Sequence, residues 1–88
     1  LKLVWAPGAW EDYLHWQAND PNTLERINTL IRECMRDPFR GLGKPEPLRE
    51  NLKGWWSRRI TVGDRLVYRV TGSAPSQALE IAQCRFHN

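Results

Sequence analysis

In GWWSRRITVGDRLVYRV, residues 54 to 70, the side chains change character with a period of two, which is the mark of pleated strands. Trp55, Ser57 and Arg59 fall on one side and Trp56, Arg58 and Ile60 on the other. RLVYRV, residues 65 to 70, repeats the alternation and sets Leu66, Tyr68 and Val70 against Arg65, Val67 and Arg69. Gly63 and Asp64 supply a turn between the two runs, so the segment reads as a hairpin. Downstream, TGSAPSQ (residues 71 to 77) has turn composition and ALEIAQCRF (78 to 86) supplies a further strand. On this reading Ala82, Cys84 and Phe86 join Leu66, Tyr68 and Val70 on the apolar face. Arg65, Arg69, Arg85 and His87 emerge on the opposite, cationic one.

Upstream of the hairpin, FRGLGKPEPLRENL (residues 39 to 52) carries two Gly and two Pro and reads as a proline-stiffened loop. Before it, Leu24, Ile27, Leu30, Ile31, Cys34 and Met35 recur at helical spacing between Asp20-Pro21 and Asp37-Pro38, a start and a stop signal. A shorter helix is expected over residues 9 to 19, with Trp10, Tyr13, Leu14 and Gln17 as its stripe. KLVW, residues 2 to 5, reads as a first strand closed by Pro7 and Gly8. Taken together, the order predicts an α+β fold: a small antiparallel sheet with two N-terminal helices packed on one face.

At 88 residues the chain has room for one domain, spanning residues 1 to 88, and for one core. No run is long and apolar enough to cross a bilayer, and the N-terminus lacks signal-peptide character, so a cytoplasmic protein without membrane contact is expected. Cys34 and Cys84 have no zinc-type spacing and read as buried thiols. The net charge of +3 is unevenly placed. Residues 1 to 43 hold five basic side chains against six acidic ones, while residues 44 to 88 hold eight against four. A basic half suits a nucleic acid, and an acidic protein partner equally well.

No phosphate-cradling Gly loop, paired-carboxylate metal site or Ser or Cys nucleophile with an obvious base is present, so neither metal nor cofactor is expected. What remains are Arg58, Arg59, Arg65, Arg69 and Arg85, the near-terminal His87, and Glu46 between two prolines. Scission of RNA by its own 2′-hydroxyl needs a base, a cation for the crowded phosphate and an acid for the leaving oxygen. Glu46, Arg65 and His87 could fill those roles. Each residue alone has a commoner reading: Glu46 as a solvated loop charge, His87 as a surface group, Arg59 and Arg65 as sheet-surface or ion-pair residues. Of Trp55 and Trp56, one must face the core.

GKPEPLRENLKGWWSRRI (43 to 60), RLVY (65 to 68) and CRFH (84 to 87) closely resemble the YoeB (Txe) toxins of the RelE-like superfamily of mRNA interferases, and the likeness extends to the N-terminal half through LVWAPGAWEDYLHW. The resemblance implies a microbial-ribonuclease-like fold and ribosome-dependent, metal-independent cleavage of mRNA. Its partners would be the ribosome, the message, a second copy of the chain and a YefM-like antitoxin with an acidic C-terminal segment. Residue by residue it assigns the general base to Glu46, phosphate stabilisation to Arg65 and the general acid to His87. Arg49, Arg59 and Asn88 match RNA-contacting positions. Two departures stand out: Asn88 where an aromatic residue is typical, and Asp64 where histidine is common, the latter read as a turn change with little bearing on chemistry. Two alternatives remain open, a catalytically weakened RelE-like fold that binds the ribosome or an antitoxin, and the gyrase-inhibiting branch, against which Glu46 and His87 count.

Overall fold

The computed structural model describes residues 1 to 87. Strand β1 (Lys2–Trp5) is followed by helices α1 (Pro7–Asn19) and α2 (Pro21–Arg36), then by strands β2 (Glu46–Pro47), β3 (Trp56–Arg59), β4 (Arg65–Thr71) and β5 (Ala78–Gln83). The strands form one sheet in the order β1-β5-β4-β3-β2, with both helices contributing to the core on the same side. The expected α+β architecture is therefore present, with one correction. The sheet is mixed, because β1 runs parallel to β5 while the other neighbours are antiparallel. Two helices separate β1 from its partner's end of the chain, and local alternation carries no information about the direction of so distant a pairing.

Helix α2 behaves as its pattern dictates. Asp20 caps it, its carboxylate accepting from the Thr23 amide at 3.2 Å and the Thr23 hydroxyl at 2.7 Å, and Pro21 takes the first helical position. Ile27, Leu30, Ile31 and Cys34 are buried against Leu66, Tyr68, Leu79 and Ile81 of the sheet. In α1 the expected stripe shifts. Ala9 is fully buried and Tyr13 and Trp16 pack beside it, whereas Trp10 is largely exposed. The helix begins at Pro7, two residues earlier than expected, since Pro lacks only an amide hydrogen that the first turn would leave unpaired anyway. Trp16 donates through Nε1 to the Cys84 carbonyl at 2.8 Å, and Asp12 accepts from the Cys84 amide at 3.1 Å. Helix α1 thus holds the chain just beyond β5.

A register shift between Val67 and Tyr68 corrects the inward set on β5. Tyr68 faces Ile81 and Val67 faces Gln83, which leaves Ala82 as an extra residue on that strand. Leu79 and Ile81 are consequently the buried positions before the shift and Cys84 the one after it, while Ala82 is half-buried and Phe86 exposed. Burial raises the Cys84 thiol to about 12 and the Cys34 thiol to about 11, so both remain protonated at neutral pH.

Arg58, expected beside the other arginines of the strands, is completely buried on the helix side. Its guanidinium donates to the carbonyls of Asp37 (2.6 Å), Arg40 (2.9 Å) and Leu42 (3.0 Å), and its Nε to the Tyr68 hydroxyl (3.1 Å), which in turn donates to the Pro38 carbonyl. One planar fork satisfies a whole turn of loop backbone. Gly43, next along, has a φ of +86°, and a Cβ there would stand 2.8 Å from a Leu30 methyl. Its carbonyl accepts from the Arg59 amide at 2.7 Å, seating the loop on β3 immediately before Glu46.

Candidate functional site

The sheet face away from the helices is ordered by strand register. Glu46 stands opposite Ser57, Ser57 opposite Val67 and Val67 opposite Gln83, forming one row across four strands. Residues directly opposite in a ladder share a face. Because Arg58 points into the core, Ser57 and its row point outward. In the adjacent row Arg59 stands opposite Arg65. On the other side Trp55 lies beneath Arg69, whose guanidinium carbon is 4.3 Å from the ring centroid.

These registers separate the expected cations into two kinds. Arg69 is paired with Glu80 at 3.3 Å as well as stacked on Trp55, so its charge is answered within the protein. Arg58 is a core residue. Arg59 is exposed and Arg65 half-buried, and facing each other across the hairpin they form a like-charge pair, which disfavours the sheet unless an anion joins them. Arg65 is anchored by one nitrogen. Its Nη1 donates to the carbonyls of Thr61 (2.9 Å), Asp64 (3.1 Å) and Val62 (3.3 Å) in the β3–β4 turn. No bond among the described residues engages its Nε or Nη2, an edge suited to a phosphate oxygen pair.

Glu46 is exposed at the sheet edge, in a two-residue strand whose Pro47 is tolerated because the strand is outermost. It lies two strands and one row from Arg65, which by ordinary sheet spacings is about 12 Å between Cα atoms. Both side chains are long and project from the same face, where Ser57 and Val67 of the intervening row are buried. On the far side of Arg65 comes the chain's end: the Arg65 amide donates to the Phe86 carbonyl at 2.9 Å, so the next residue, His87, is delivered alongside Arg65. His87 is exposed and engages in a contact of its own. Arg49 lies three residues beyond Glu46, exposed, and among the described residues its side chain bonds none of the others. Asn88 lies outside the described residues.

Four residues make contacts that the sequence reading did not give them. Gln83 donates to the carbonyls of Arg85 (2.9 Å) and Phe86 (3.4 Å). Trp55 and Glu80 bracket Arg69. Asp64 accepts from the Phe86 amide at 2.7 Å through one carboxylate oxygen and from the Thr61 hydroxyl at 2.7 Å through the other, so it holds the tail as well as its own turn. An Asp directly before a strand offers the signal of a local turn bond. Its reach to a residue 22 positions away has no sequence signal.

Among the described residues there is no group of three or more His, Cys, Asp or Glu able to hold a metal ion, and no helix long and apolar enough to cross a membrane. An open groove at the opposite sheet edge is lined by Leu3, Trp5, Trp10, Tyr13 and Ile31 with Asn28 and Arg32, away from the Glu46–Arg65 face.

Comparison with known proteins gives a consistent result. Residues 5–88 match the family model described as YoeB-like toxin of bacterial type II toxin-antitoxin system. Toxin YoeB of Escherichia coli K12 is 52% identical over 87 residues, covering 99% of each chain. A solved structure described as a YoeB/ParE toxin from Agrobacterium tumefaciens is 56% identical and superposes with a TM-score of 0.97, covering 100% of both chains. YoeB from Staphylococcus aureus, solved as a dimer, is 39% identical with a TM-score of 0.88, covering 100% of this chain and 98% of that one. The same S. aureus toxin, in a heterotetrameric complex with YefM, gives a TM-score of 0.87 at 39% identity with the same coverage.

Proposed function

This chain belongs to the YoeB family of bacterial type II toxin-antitoxin toxins, and from that premise we propose that it is a ribosome-dependent mRNA endoribonuclease that needs no metal. Glu46 takes the proton from a 2′-hydroxyl, whose oxygen attacks the adjacent phosphorus. Arg65, with Arg59 opposite, offsets the charge gathering on the phosphate oxygens. His87 protonates the departing 5′-oxygen, leaving a cyclic phosphate on one fragment and a hydroxyl on the other. Arg49 and Asn88 contact the RNA. The reading is supported by one observation: the Arg65 amide bonds the Phe86 carbonyl, next to His87, on the sheet whose edge strand carries Glu46.

The partners follow from the same reading. The ribosome presents the message, and the unit of residues 1 to 88 acts in the cytoplasm. A YefM-like antitoxin with an acidic C-terminal segment answers the cationic face, in keeping with the S. aureus complex, and a homodimer is in keeping with the S. aureus dimer.

Purified protein mixed with ribosomes and a defined message tests the assignment. Glu46→Ala and His87→Gln should each slow cutting by roughly 10²- to 10⁴-fold, the usual worth of a positioned acid or base. Variants that cut as fast as the parent would remove the roles. Tight ribosome binding by a parent that does not cut would instead favour a binding module that has lost catalysis.

A further inference from the structure

Resting on the ribonuclease reading, we propose that Asp64 is a positioning residue: its carboxylate fastens the C-terminal segment to the β3–β4 turn and thereby sets where His87 stands relative to Arg65. Phe86 adopts a φ of +67°, a left-handed conformation that a bulky residue holds only when its surroundings over-determine it. Those surroundings are identifiable. The Phe86 amide donates to Asp64 Oδ1 at 2.7 Å, its carbonyl accepts from the Arg65 amide at 2.9 Å and from Gln83 at 3.4 Å, and the Arg85 guanidinium lies 4.4 Å from its ring centroid.

The cation and the tail share one anchor. The Arg65 guanidinium hangs on the carbonyls of Thr61, Val62 and Asp64, while the Asp64 side chain holds Phe86 and the Thr61 hydroxyl. One four-residue turn therefore positions the cation through its carbonyls and the tail through its carboxylate. Phe86 itself is exposed, with 59% of its surface open, so apolar burial does not keep the segment in place. A charge-assisted bond to a backbone amide is the stronger kind of hydrogen bond available to do so. Without it, the bonds of the Phe86 carbonyl to Arg65 and Gln83 would be left to hold the segment alone, and an acid displaced by an ångström or so loses much of its effect.

The test uses the full chain with Asp64→Ala and Asp64→Asn. Asn keeps an oxygen acceptor for the Phe86 amide and an amide group that can meet Thr61, whereas Ala keeps neither. Hydrogen exchange resolved by NMR should show the Phe86 amide protected in the parent and exchanging roughly tenfold faster or more in Asp64→Ala, with the core amides of Leu66 and Tyr68 unchanged. Cleavage on ribosomes should show kcat reduced about tenfold or more in Asp64→Ala with KM little altered, and largely restored in Asp64→Asn. An unprotected Phe86 amide in the parent, an unaltered kcat in Asp64→Ala, or core amides loosening in step with Phe86 would each overturn the proposal. A parent that cuts no message would bring down the ribonuclease reading and, with it, the catalytic purpose of the clamp. The Phe86 exchange rates would then still show whether the clamp exists.

Discussion

Arg58 and Arg59 are neighbours in sequence with opposite physical fates. One strand step turns Arg58 into the core, where its fork meets three carbonyls and a tyrosine hydroxyl, and leaves Arg59 exposed across from Arg65. A buried guanidinium that forms no ion pair among the described residues is sustained by the number of acceptors around it, and removing it strands those acceptors away from water. Arg58→Ala is therefore expected to lower the free energy of unfolding by about 3 kcal/mol, read from the urea midpoint. An unchanged midpoint would mean that the loop from Asp37 to Leu42 is held by something else. The alternation itself was plain in the sequence. That the inward arginine would find backbone partners was not, because those carbonyls belong to a loop 16 to 21 residues away.

At the scale of elements, α2 was the most legible part of the chain, since its cap, first-turn proline and apolar spacing all point to the same boundaries. The cap also makes a pH signature. Its hydrogen bonds to the Thr23 hydroxyl and amide hold the Asp20 carboxyl below its ordinary value. A group depressed in the folded state adds stability above its unfolded pKa, and that contribution fades as pH falls through the folded one. Asp20→Ala should thus melt at a lower temperature than the parent near neutrality, with the gap closing once the solution is acidic enough to protonate an ordinary carboxylate and then the capped one. A gap constant from neutral to strongly acidic pH would show that the carboxylate charge contributes nothing. Strand β5 was less legible, because its extra residue at Ala82 resets the inward phase before Cys84. A bulge of this kind is set by pairing with β4, which local composition does not encode.

Over the whole molecule, the basic excess of the C-terminal half is redistributed by folding. Arg58 and Arg69 are answered internally, while Arg49, Arg59, Lys44 and Lys53 are exposed on the half of the chain that carries Glu46. If three or four of these cations meet phosphates, the logarithm of affinity for single-stranded RNA should fall against the logarithm of salt with a slope of about −2 to −3. The measurement is best made with Glu46→Ala, which should bind without cutting. A flat dependence would show that this face does not meet a phosphate backbone.

By itself the sequence was enough for two helices, the hairpin, the outward side of Arg65 and Arg69 and, through the KPEPL and WSRRI pattern, the family, because period and turn chemistry are local and a long signature is specific. Only the folded chain made β1 parallel to β5, buried Arg58, paired Arg69 with Glu80 and tied Asp64 to Phe86. Each of those depends on segments far apart along the chain meeting at a particular register, and no local pattern of side chains records which distant backbone group will be within reach of a given donor.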